Sequence, residues 1–413
     1  MKVILATIGS RGDVQPMVAV AQALANRGHE PLIAAPPDFE SWVRAFGIDF
    51  VPLGIDVNAF MREHREALGA NIWKFFHETR RLFDRELPAQ LDKLLELGRD
   101  AGAIVFAAGA VAAPSAGEKL GIPVLGVLFT TTVVPSNDHA PVVIPWRTLP
   151  GWMNASLWRV MDVGWNALLG KGLNDARRRH GLRPIPDVTK HLYEESHFVV
   201  AVDRELFPLD PEWDDRIPHV GFLYARPNQA ALDPDLAAWL DAGEPPVYVG
   251  FGSMMGKGPD RMRGVIVAAL GRVGRRGLVS RGWAGLGDAL PREWRAIGDT
   301  PHELLFPRVA CVVHHGGSGT TAAALRAGVP QVLAPLILDQ YHHAQVLYEQ
   351  GLAPRPVPME KITAEELASA IRDALRIPAS KRQVVADRLR ASRGADAIVD
   401  RLEVMAVAGH ERI

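Results

Sequence analysis

One glycine-rich turn carries the residue types best suited to chemistry in this chain. Residues 314–321 (HHGGSGTT) follow the apolar run 309–313, which predicts a buried strand, and precede a helix pattern at 322–327. Glycines let a backbone approach a ligand closely, and the N–H groups at a helix start attract phosphate. Ser318, Thr320 and Thr321 could instead serve only as helix caps. Taken with the two imidazoles, the turn predicts an anion site.

A second polar turn, residues 9–13 (GSRGD), follows the first apolar strand pattern at 3–7. The carboxylate of Asp13 could accept a proton from a bound hydroxyl, or it could cap the helix that begins near Val14, with Pro16 in its first turn. The residues leave both interpretations open. The turn lacks the G-x-G-x-x-G spacing of dinucleotide sites, which argues against a nicotinamide dehydrogenase.

Asp339 and Gln340 follow the strand pattern 331–333. A carboxylate beside an amide can accept from and donate to neighbouring hydroxyls, so the pair suits a polyol, although it could also be a solvent-facing helix start. His342 and His343 are adjacent, but no third ligand stands at a recognisable spacing, and we predict no metal site. Ser253 follows another strand pattern and could offer a hydroxyl to the glycine-rich turn, or be an ordinary turn residue.

Buried strands alternate with helices in two separate stretches of the chain. Strand patterns occur at 3–7, 31–35, 104–108 and 124–128, and the same alternation restarts near Pro245, with strands at 247–253, 277–280, 309–313 and 331–333. This predicts an α/β protein with two doubly wound parallel-sheet domains that face each other across a cleft. The expected divisions are a first domain at 1–210, a linker at 211–245, a second domain at 246–389 and a final helical segment at 390–413.

Composition narrows the class of protein. The 413 residues are 48% hydrophobic and 23% charged with a formal net charge of -1, which gives nucleic-acid binding no support. The one cysteine, Cys311, excludes an intramolecular disulfide. The first apolar run is too short for a signal peptide and no run of 18 apolar residues exists, so we expect a cytoplasmic protein.

Aromatic residues cluster in the first domain. They are Trp73, Phe75 and Phe76, then Trp146, Trp152, Trp158 and Trp165. They could line an apolar pocket or form a patch that contacts a membrane, and for most of them the core of inserted helices is the favoured alternative.

Together the motifs resemble the GT-B family 1 glycosyltransferases, in particular bacterial natural-product and glycopeptide glucosyltransferases and the sterol glucosyltransferases. The resemblance spans nearly the whole chain. It rests on GSRGDVQP at 9–16, VYVGFGS at 247–253, SRGW at 280–283, the turn at 314–321, AGVP at 327–330 and Asp339-Gln340, in this order. It implies two Rossmann-like domains, a nucleotide-sugar co-substrate without a separate cofactor, and a last segment that crosses back to the first domain.

The resemblance also implies residue roles. Asp13 would deprotonate the acceptor hydroxyl, assisted by Ser10, and Asp339 with Gln340 would bind sugar hydroxyls. The groups that would hold the donor diphosphate are Ser253, His315, Gly317, Gly319 and Thr320. The groups near the nucleobase would be Trp283, Thr300, Pro301 and His302. Candidates for the acceptor pocket are Trp73, Phe76, His139 and Trp146.

Some positions depart from the family pattern. The glutamate with which plant relatives bind ribose falls at Ala323, their glutamine at His302, and their base-stacking tryptophan near Asp299. UDP and dTDP are therefore not separated by sequence.

The sequence thus predicts a metal-independent, inverting hexosyltransferase. It would move glucose or a related hexose from UDP or dTDP to a hydroxyl of a lipophilic acceptor such as a polyketide or a sterol-like molecule. The alternatives are a GT-B nucleotide-sugar epimerase or hydrolase and a non-catalytic nucleotide-sugar binding protein. The sequence leaves peripheral membrane contact and the choice between monomer and homodimer open.

Overall fold

The computed structural model describes residues 1–55, 72–144, 149–229, 231–252, 259–281 and 290–410. The chain forms two compact units. Unit 1 comprises Met1–Pro141, Leu149–Arg226 and Arg393–Ile413, and unit 2 comprises Val142–Thr148 and Pro227–Ser392. The division after Arg226 falls inside the segment 211–245 that the sequence suggested as a linker.

A six-stranded parallel sheet forms the centre of unit 1. Its strands are β1 (Lys2–Ile8), β2 (Glu30–Ala35), β3 (Asp49–Pro52), β4 (Ala103–Ala108), β5 (Val124–Leu128) and β6 (His197–Val200). They lie in the order β3-β2-β1-β4-β5-β6. The residues Val3, Ile4 and Leu5 are fully buried, because helices cover both faces of such a sheet. The strand order reverses direction at β1 and β4, where doubly wound sheets bind their ligands.

Helices of unit 1 connect these strands. They are α1 (Arg11–Asn26), α2 (Glu40–Arg44), α3 (Ile72–Leu97), α4 (Ala113–Leu120), α5 (Gly151–Arg179), α6 (Val188–Lys190) and α7 (Pro211–Asp214). Short 3₁₀ turns occur at Pro37–Phe39, Gly98–Asp100 and Thr131–Val133, and a π turn occurs at His191–Glu195. No helix in the described ranges is both long and apolar enough to cross a membrane.

A five-stranded parallel sheet forms the centre of unit 2. Its strands are β7 (Val247–Gly250), β8 (Gly277–Ser280), β9 (Arg295–Ile297), β10 (Cys311–His314) and β11 (Gln331–Leu333). Their order is β11-β10-β7-β8-β9. The order reverses at β7 and β10, so the turns after these two strands occupy the ligand position of this sheet.

The helices of the second half of the chain follow the same alternation. They are α8 (Pro234–Asp241), α9 (Pro259–Val273), α10 (His302–Leu305), α11 (Ser318–Ala327), α12 (Gln340–Glu349), α13 (Ala364–Arg376), α14 (Ala379–Ala391) and α15 (Gly394–His410), with a 3₁₀ turn at Phe306–Arg308.

The last helix, α15, belongs to the core of unit 1. Ile398, Val399 and Leu402 are fully buried in the same apolar cluster as α1. Ion pairs reinforce this packing, since Arg27 contacts both Asp400 and Glu403.

The structure confirms the predicted pair of doubly wound parallel sheets. Three strands had not been predicted, namely β3, β6 and β9. Each has only three or four residues, and β3 and β9 include charged residues that interrupt an apolar run. The strand β6 does lie in an apolar run, 198–202, which the sequence analysis did not use. The strand predicted at 309–313 begins at Cys311, and the one predicted at 247–253 ends at Gly250.

Candidate functional site

The glycine-rich turn of unit 2 lies at the point where its sheet reverses strand order. His315 follows β10 directly, and Gly252 follows the neighbouring strand β7. A Cβ built on Gly252 would lie 3.6 Å from Cε1 of His315, so the imidazole lies beside the end of β7. The turn therefore occupies the position at which doubly wound sheets bind ligands.

Two glycines of this turn lie in close contact with neighbouring groups. Gly316 has φ 91°, and a Cβ there would lie 3.1 Å from the carbonyl oxygen of Gln340. A Cβ on Gly317 would lie 2.5 Å from Nε2 of His315. By contrast, a Cβ on Gly319 would meet no atom within 4 Å. The glycines thus make room for the imidazole and leave the backbone at 319 open.

Helix α11 starts without a side-chain cap. Its N-cap is Gly317, which has no side chain with which to make a capping hydrogen bond. The first intrahelical bond runs from the N–H of Thr321 to the carbonyl oxygen of Gly317 at 3.0 Å. Ser318, Thr320 and Thr321 lie inside the first turn of α11, so none of them is its N-cap residue. The N–H groups of Gly319 and Thr320 precede the helical ladder and point toward the helix start, where an anion is favoured.

The two histidines of the turn have different surroundings. His314 is fully buried, its Nδ1 accepts a hydrogen bond from the N–H of Gly316 at 3.1 Å, and its Nε2–H donates to Gln331 at 3.0 Å. Burial lowers the pKa of His314 to about 3. This neutral ring fixes the conformation of the turn.

His315 is the histidine that borders open space. It is partly exposed. Its Nδ1 is buried and has no hydrogen-bond partner within the described residues. Burial, and secondarily the charge of His343, lowers the pKa of His315 to about 4, so the ring is neutral near pH 7. A neutral imidazole can donate one N–H to a diphosphate oxygen.

The predicted sugar-binding pair lies in the loop between β11 and α12. Asp339 is partly exposed and forms the N-cap of α12. Gln340 is buried, and its Oε1 accepts hydrogen bonds from the N–H groups of Leu336 at 2.9 Å and Ile337 at 3.1 Å. Its amide oxygen thus holds the loop, a structural role that the sequence did not predict. Binding of sugar hydroxyls by Asp339 and Gln340 stays a prediction.

Helix α12 is also bonded to the glycine-rich turn. Nδ1–H of His343 donates to the carbonyl oxygen of Gly316 at 2.8 Å, and the same nitrogen lies 3.8 Å from Oδ2 of Asp339. These contacts give His343 a structural role, since its ring links the loop before α12 to the glycine-rich turn. The absence of a metal site at His342 and His343 stays a prediction from the sequence.

The predicted nucleobase region follows β9. Pro301 is the N-cap of α10, and Thr300 Oγ1 donates to the carbonyl oxygen of Gly298 at 3.4 Å. The ring of His302 stacks on Phe306 with centroids 4.3 Å apart and planes inclined by 14°. These residues form one ordered loop at the carboxyl end of an edge strand.

In unit 1, Asp13 lies inside a capping box at the start of α1. Its Oδ2 accepts hydrogen bonds from the N–H of Ser10 at 2.7 Å and from the hydroxyl of Ser10 at 3.1 Å. The N–H of Gly12 donates to Ser10 Oγ at 3.2 Å. A Cβ on Gly9 would lie 2.2 Å from Oδ2 of Asp13, so the carboxylate lies against a residue that must be glycine. Asp13 is partly exposed at the switch point of its sheet.

His139 lies in a loop that other elements hold firmly. It is buried, and its carbonyl oxygen accepts a hydrogen bond from Nε1–H of Trp158 at 3.0 Å. Ser136 in the same loop donates to Asp210 at 2.6 Å. Trp158 is buried in these contacts, so its suggested contact with a membrane is wrong. Trp152, on the same helix α5, is 71% exposed, and for this residue membrane contact stays a prediction.

Several predicted site residues lie outside the described part of the chain. They are Ser253, Trp283 and Trp146, together with the side chains of Trp73 and Phe76.

Both halves of the chain match known glycosyltransferase or antibiotic-biosynthesis domain families. Residues 3–134 match the glycosyltransferase family 28 N-terminal domain, and residues 280–404 match the C-terminal domain of proteins like erythromycin biosynthesis protein CIII. The chain is 36% identical over 388 residues to glycosyltransferase GtfE of Amycolatopsis orientalis, which covers 91% of this chain and 90% of that protein.

A longer plant protein is similarly related. The chain is 32% identical over 407 residues to sterol 3-beta-glucosyltransferase UGT80B1 of Arabidopsis thaliana, covering 93% of this chain and 64% of that protein. Among solved structures, glycosyltransferase VinC in complex with dTDP superposes with a TM-score of 0.71 at 21% identity, over 99% of this chain and 100% of the other. The structural match supports the fold, and the sequence matches confirm the resemblance inferred from the motifs.

Proposed function

The chain belongs to the GT-B glycosyltransferases that include the glycopeptide and sterol glucosyltransferases, and from this premise we propose the reaction that it catalyses. It transfers glucose or a related hexose from UDP or dTDP to a hydroxyl of a lipophilic small molecule, with inversion at the anomeric carbon. The acceptor classes follow from the named relatives, a vancomycin aglycone glucosyltransferase and sterol glucosyltransferases among them.

The glycine-rich turn of unit 2 is the observation that carries this proposal. The N–H groups of Gly319 and Thr320 at a helix start, with the partly exposed imidazole of His315, form a site for a diphosphate. Negative charge grows on the diphosphate as the glycosidic bond breaks, and preorganised donors stabilise it. These donors are N–H groups, hydroxyls and a neutral ring, so we propose that the protein needs no metal ion for this task.

Asp13 supplies the base in this proposal. The two hydrogen bonds from Ser10 orient its carboxylate at the carboxyl end of β1. The acceptor hydroxyl transfers its proton to Asp13 while its oxygen forms a bond to the anomeric carbon. The bond from that carbon to the diphosphate oxygen breaks, and the nucleoside diphosphate leaves with the electron pair. Attack in line with the leaving group inverts the configuration.

The remaining roles are those that the resemblance to the family implies. Asp339 accepts hydrogen bonds from hexose hydroxyls, and the loop of Thr300, Pro301 and His302 contacts the nucleobase. Ser253 and Trp283 would complete the donor site. We place His139 with Trp73, Phe76 and Trp146 beside the acceptor.

A substrate screen tests the reaction. UDP-glucose and dTDP-glucose would be incubated with polyketide, sterol, flavonoid and glycopeptide acceptors, and hexose addition would be read by mass. A hexose adduct of opposite anomeric configuration to the donor supports the proposal. Rapid epimer or free-sugar formation without acceptor would favour an epimerase or a hydrolase, and donor binding without transfer across the panel would favour a binding protein.

A further inference from the structure

Leu338 has a backbone conformation that disfavours leucine. Its φ is 53°, and it is the one non-glycine residue with a positive φ in the described ranges. In this left-handed region a Cβ crowds the following carbonyl oxygen, so glycine, or less often asparagine or aspartate, usually occupies it. Leucine is therefore present here at a local energetic cost.

The side chain of Leu338 recovers little of this cost by burial. It is 45% exposed, and the neighbouring Ile337 is 37% exposed. Leu336 and Asp339, on either side of this pair, are partly exposed, and Pro335 and Gln340, one position further out, are buried. Two large apolar side chains are therefore exposed next to each other, on a loop that is buried at Pro335 and Gln340.

The loop that carries Leu338 is fixed at both ends. The N–H groups of Leu336 and Ile337 donate to the side chain of Gln340. The backbone N–H of Gln340 donates in return to the carbonyl oxygen of Ile337 at 3.3 Å. Strained backbone persists where its surroundings determine it from several sides, and such residues concentrate at ligand sites.

The loop lies against the glycine-rich turn. The carbonyl oxygen of Gln340 would be 3.1 Å from a Cβ on Gly316, and His343 donates to the carbonyl oxygen of Gly316. Leu338 is two residues from this contact and adjacent to Asp339. It thus borders the place where a sugar attached to the diphosphate would lie.

We propose that Leu338 is a specificity-determining residue that contacts the hexose of the bound nucleotide sugar. This inference rests on the proposed function and deepens it. A hexose presents C–H faces as well as hydroxyls, so an aliphatic side chain beside a carboxylate can bind both kinds of surface. The left-handed backbone directs the leucine toward the sugar instead of the core, which explains why a relaxed glycine does not stand there.

Binding measurements without acceptor test this contact. The Kd values of UDP-glucose, UDP, dTDP-glucose and dTDP would be measured by calorimetry for the unchanged protein and for Leu338→Gly and Leu338→Asn. Both replacements tolerate the left-handed backbone and remove the apolar surface. Val384→Ala, at an exposed valine on α14 of the same unit, is the matched control.

The sugar contribution is the ratio of the Kd of the free nucleotide to that of the nucleotide sugar. We expect both Leu338 variants to lower this ratio about fivefold, equivalent to about 1 kcal/mol, while the Kd of the free nucleotide stays within about twofold. We also expect Leu338→Gly to raise Tm by about 2–4 °C because the strain is relieved. The Val384→Ala control should leave the ratio of the two Kd values unchanged.

Two results would overturn the assignment of Leu338 alone. One is an unchanged ratio in both variants, and the other is an equal loss of affinity for nucleotide and nucleotide sugar. If the unchanged protein bound neither nucleotide sugar, the proposed function itself would fail, and with it this inference.

Discussion

The backbone N–H of Ser10 donates a hydrogen bond of 2.7 Å to Oδ2 of Asp13. This contact closes a capping box at the start of α1, and it also fixes the carboxylate at the ligand end of the sheet. The two interpretations that the sequence left open for Asp13 are therefore compatible. One oxygen can stabilise the helix while the carboxylate as a whole accepts a proton.

Ser10 is expected to act as a positioning residue. Ser10→Ala removes the hydroxyl that donates to Asp13 and accepts from Gly12. We expect a loss of about 1 kcal/mol in the free energy of unfolding and a fall in kcat with little change in donor KM. Ser10→Thr, which keeps the hydroxyl, should restore most of kcat. If kcat in both variants fell only in proportion to the loss of folded protein, a positioning role for Ser10 would be contradicted.

Substitution of the two adjacent histidines should affect different properties of the protein, donor affinity for His315 and thermal stability for His314. His315→Ala should weaken donor binding about 10-fold to 100-fold, because it removes a hydrogen bond to a charged group, and should change Tm little. His314→Ala should lower Tm clearly, because the buried groups of Gly316 and Gln331 lose their partner. Calorimetric Kd values and thermal unfolding check both. A loss of donor affinity in His314→Ala together with a lowered Tm in His315→Ala would instead assign diphosphate binding to His314.

Two glycines of the turn provide a steric test. Gly317→Ala places a methyl group 2.5 Å from Nε2 of His315, so the ring must move. Gly319→Ala meets nothing within 4 Å and adds a better helix former to the first turn of α11. We expect the first variant to lose donor affinity about 10-fold or more, as for the loss of His315 itself, and the second to retain it within about twofold. Equal affinities of the two variants would contradict the proposed place of His315.

Donor binding should take up protons through His315. Its pKa is lowered to about 4 in the free protein, first by burial and then by the charge of His343. A bound diphosphate favours the charged ring, so the pKa rises on binding. A group whose pKa is higher in the complex adds affinity at low pH, and this gain is lost as pH rises through the bound-state pKa.

Calorimetry can measure this linkage. UDP would be titrated at a pH somewhat above 4 in two buffers of different ionisation enthalpy. We expect net proton uptake by the unchanged protein and less uptake by His315→Gln, which corrects for protons taken up by UDP itself. Equal uptake by both proteins would contradict the coupling.

The sequence predicted which residues gather at the ligand ends of the two sheets, because the carboxyl ends of parallel strands meet at one edge. The sequence could not predict which of those residues hold the loops in place and which remain open to a ligand. His314 and His315 are the same residue type one position apart, and they differ in burial and in the hydrogen bonds of His314 to Gly316 and Gln331. Similarly, the side-chain amide oxygen of Gln340 accepts a hydrogen bond from the N–H of Leu336 in its own loop, which the sequence did not indicate.

Backbone conformation was the other property that the sequence did not predict. Nothing in the composition of residues 335–340 indicates a left-handed leucine. The conformation accompanies hydrogen bonds that the loop N–H groups donate to the side chain of Gln340. The short strands β3 and β9 were missed for a related reason. Their neighbours in the sheet specify them more strongly than their own apolar content does.

The most direct test of the account is the kcat of Asp13→Asn beside that of Glu366→Gln. Glu366 closes an equivalent capping box with Thr363 in unit 2, with Oε2 bonded to the N–H at 2.9 Å and to the hydroxyl at 2.7 Å. Both variants should lose similar stability, which thermal unfolding would verify. We predict that Asp13→Asn lowers kcat for hexose transfer about 100-fold or more while Glu366→Gln leaves it within about twofold. Near-unchanged turnover in Asp13→Asn would show that Asp13 caps its helix and is not the base.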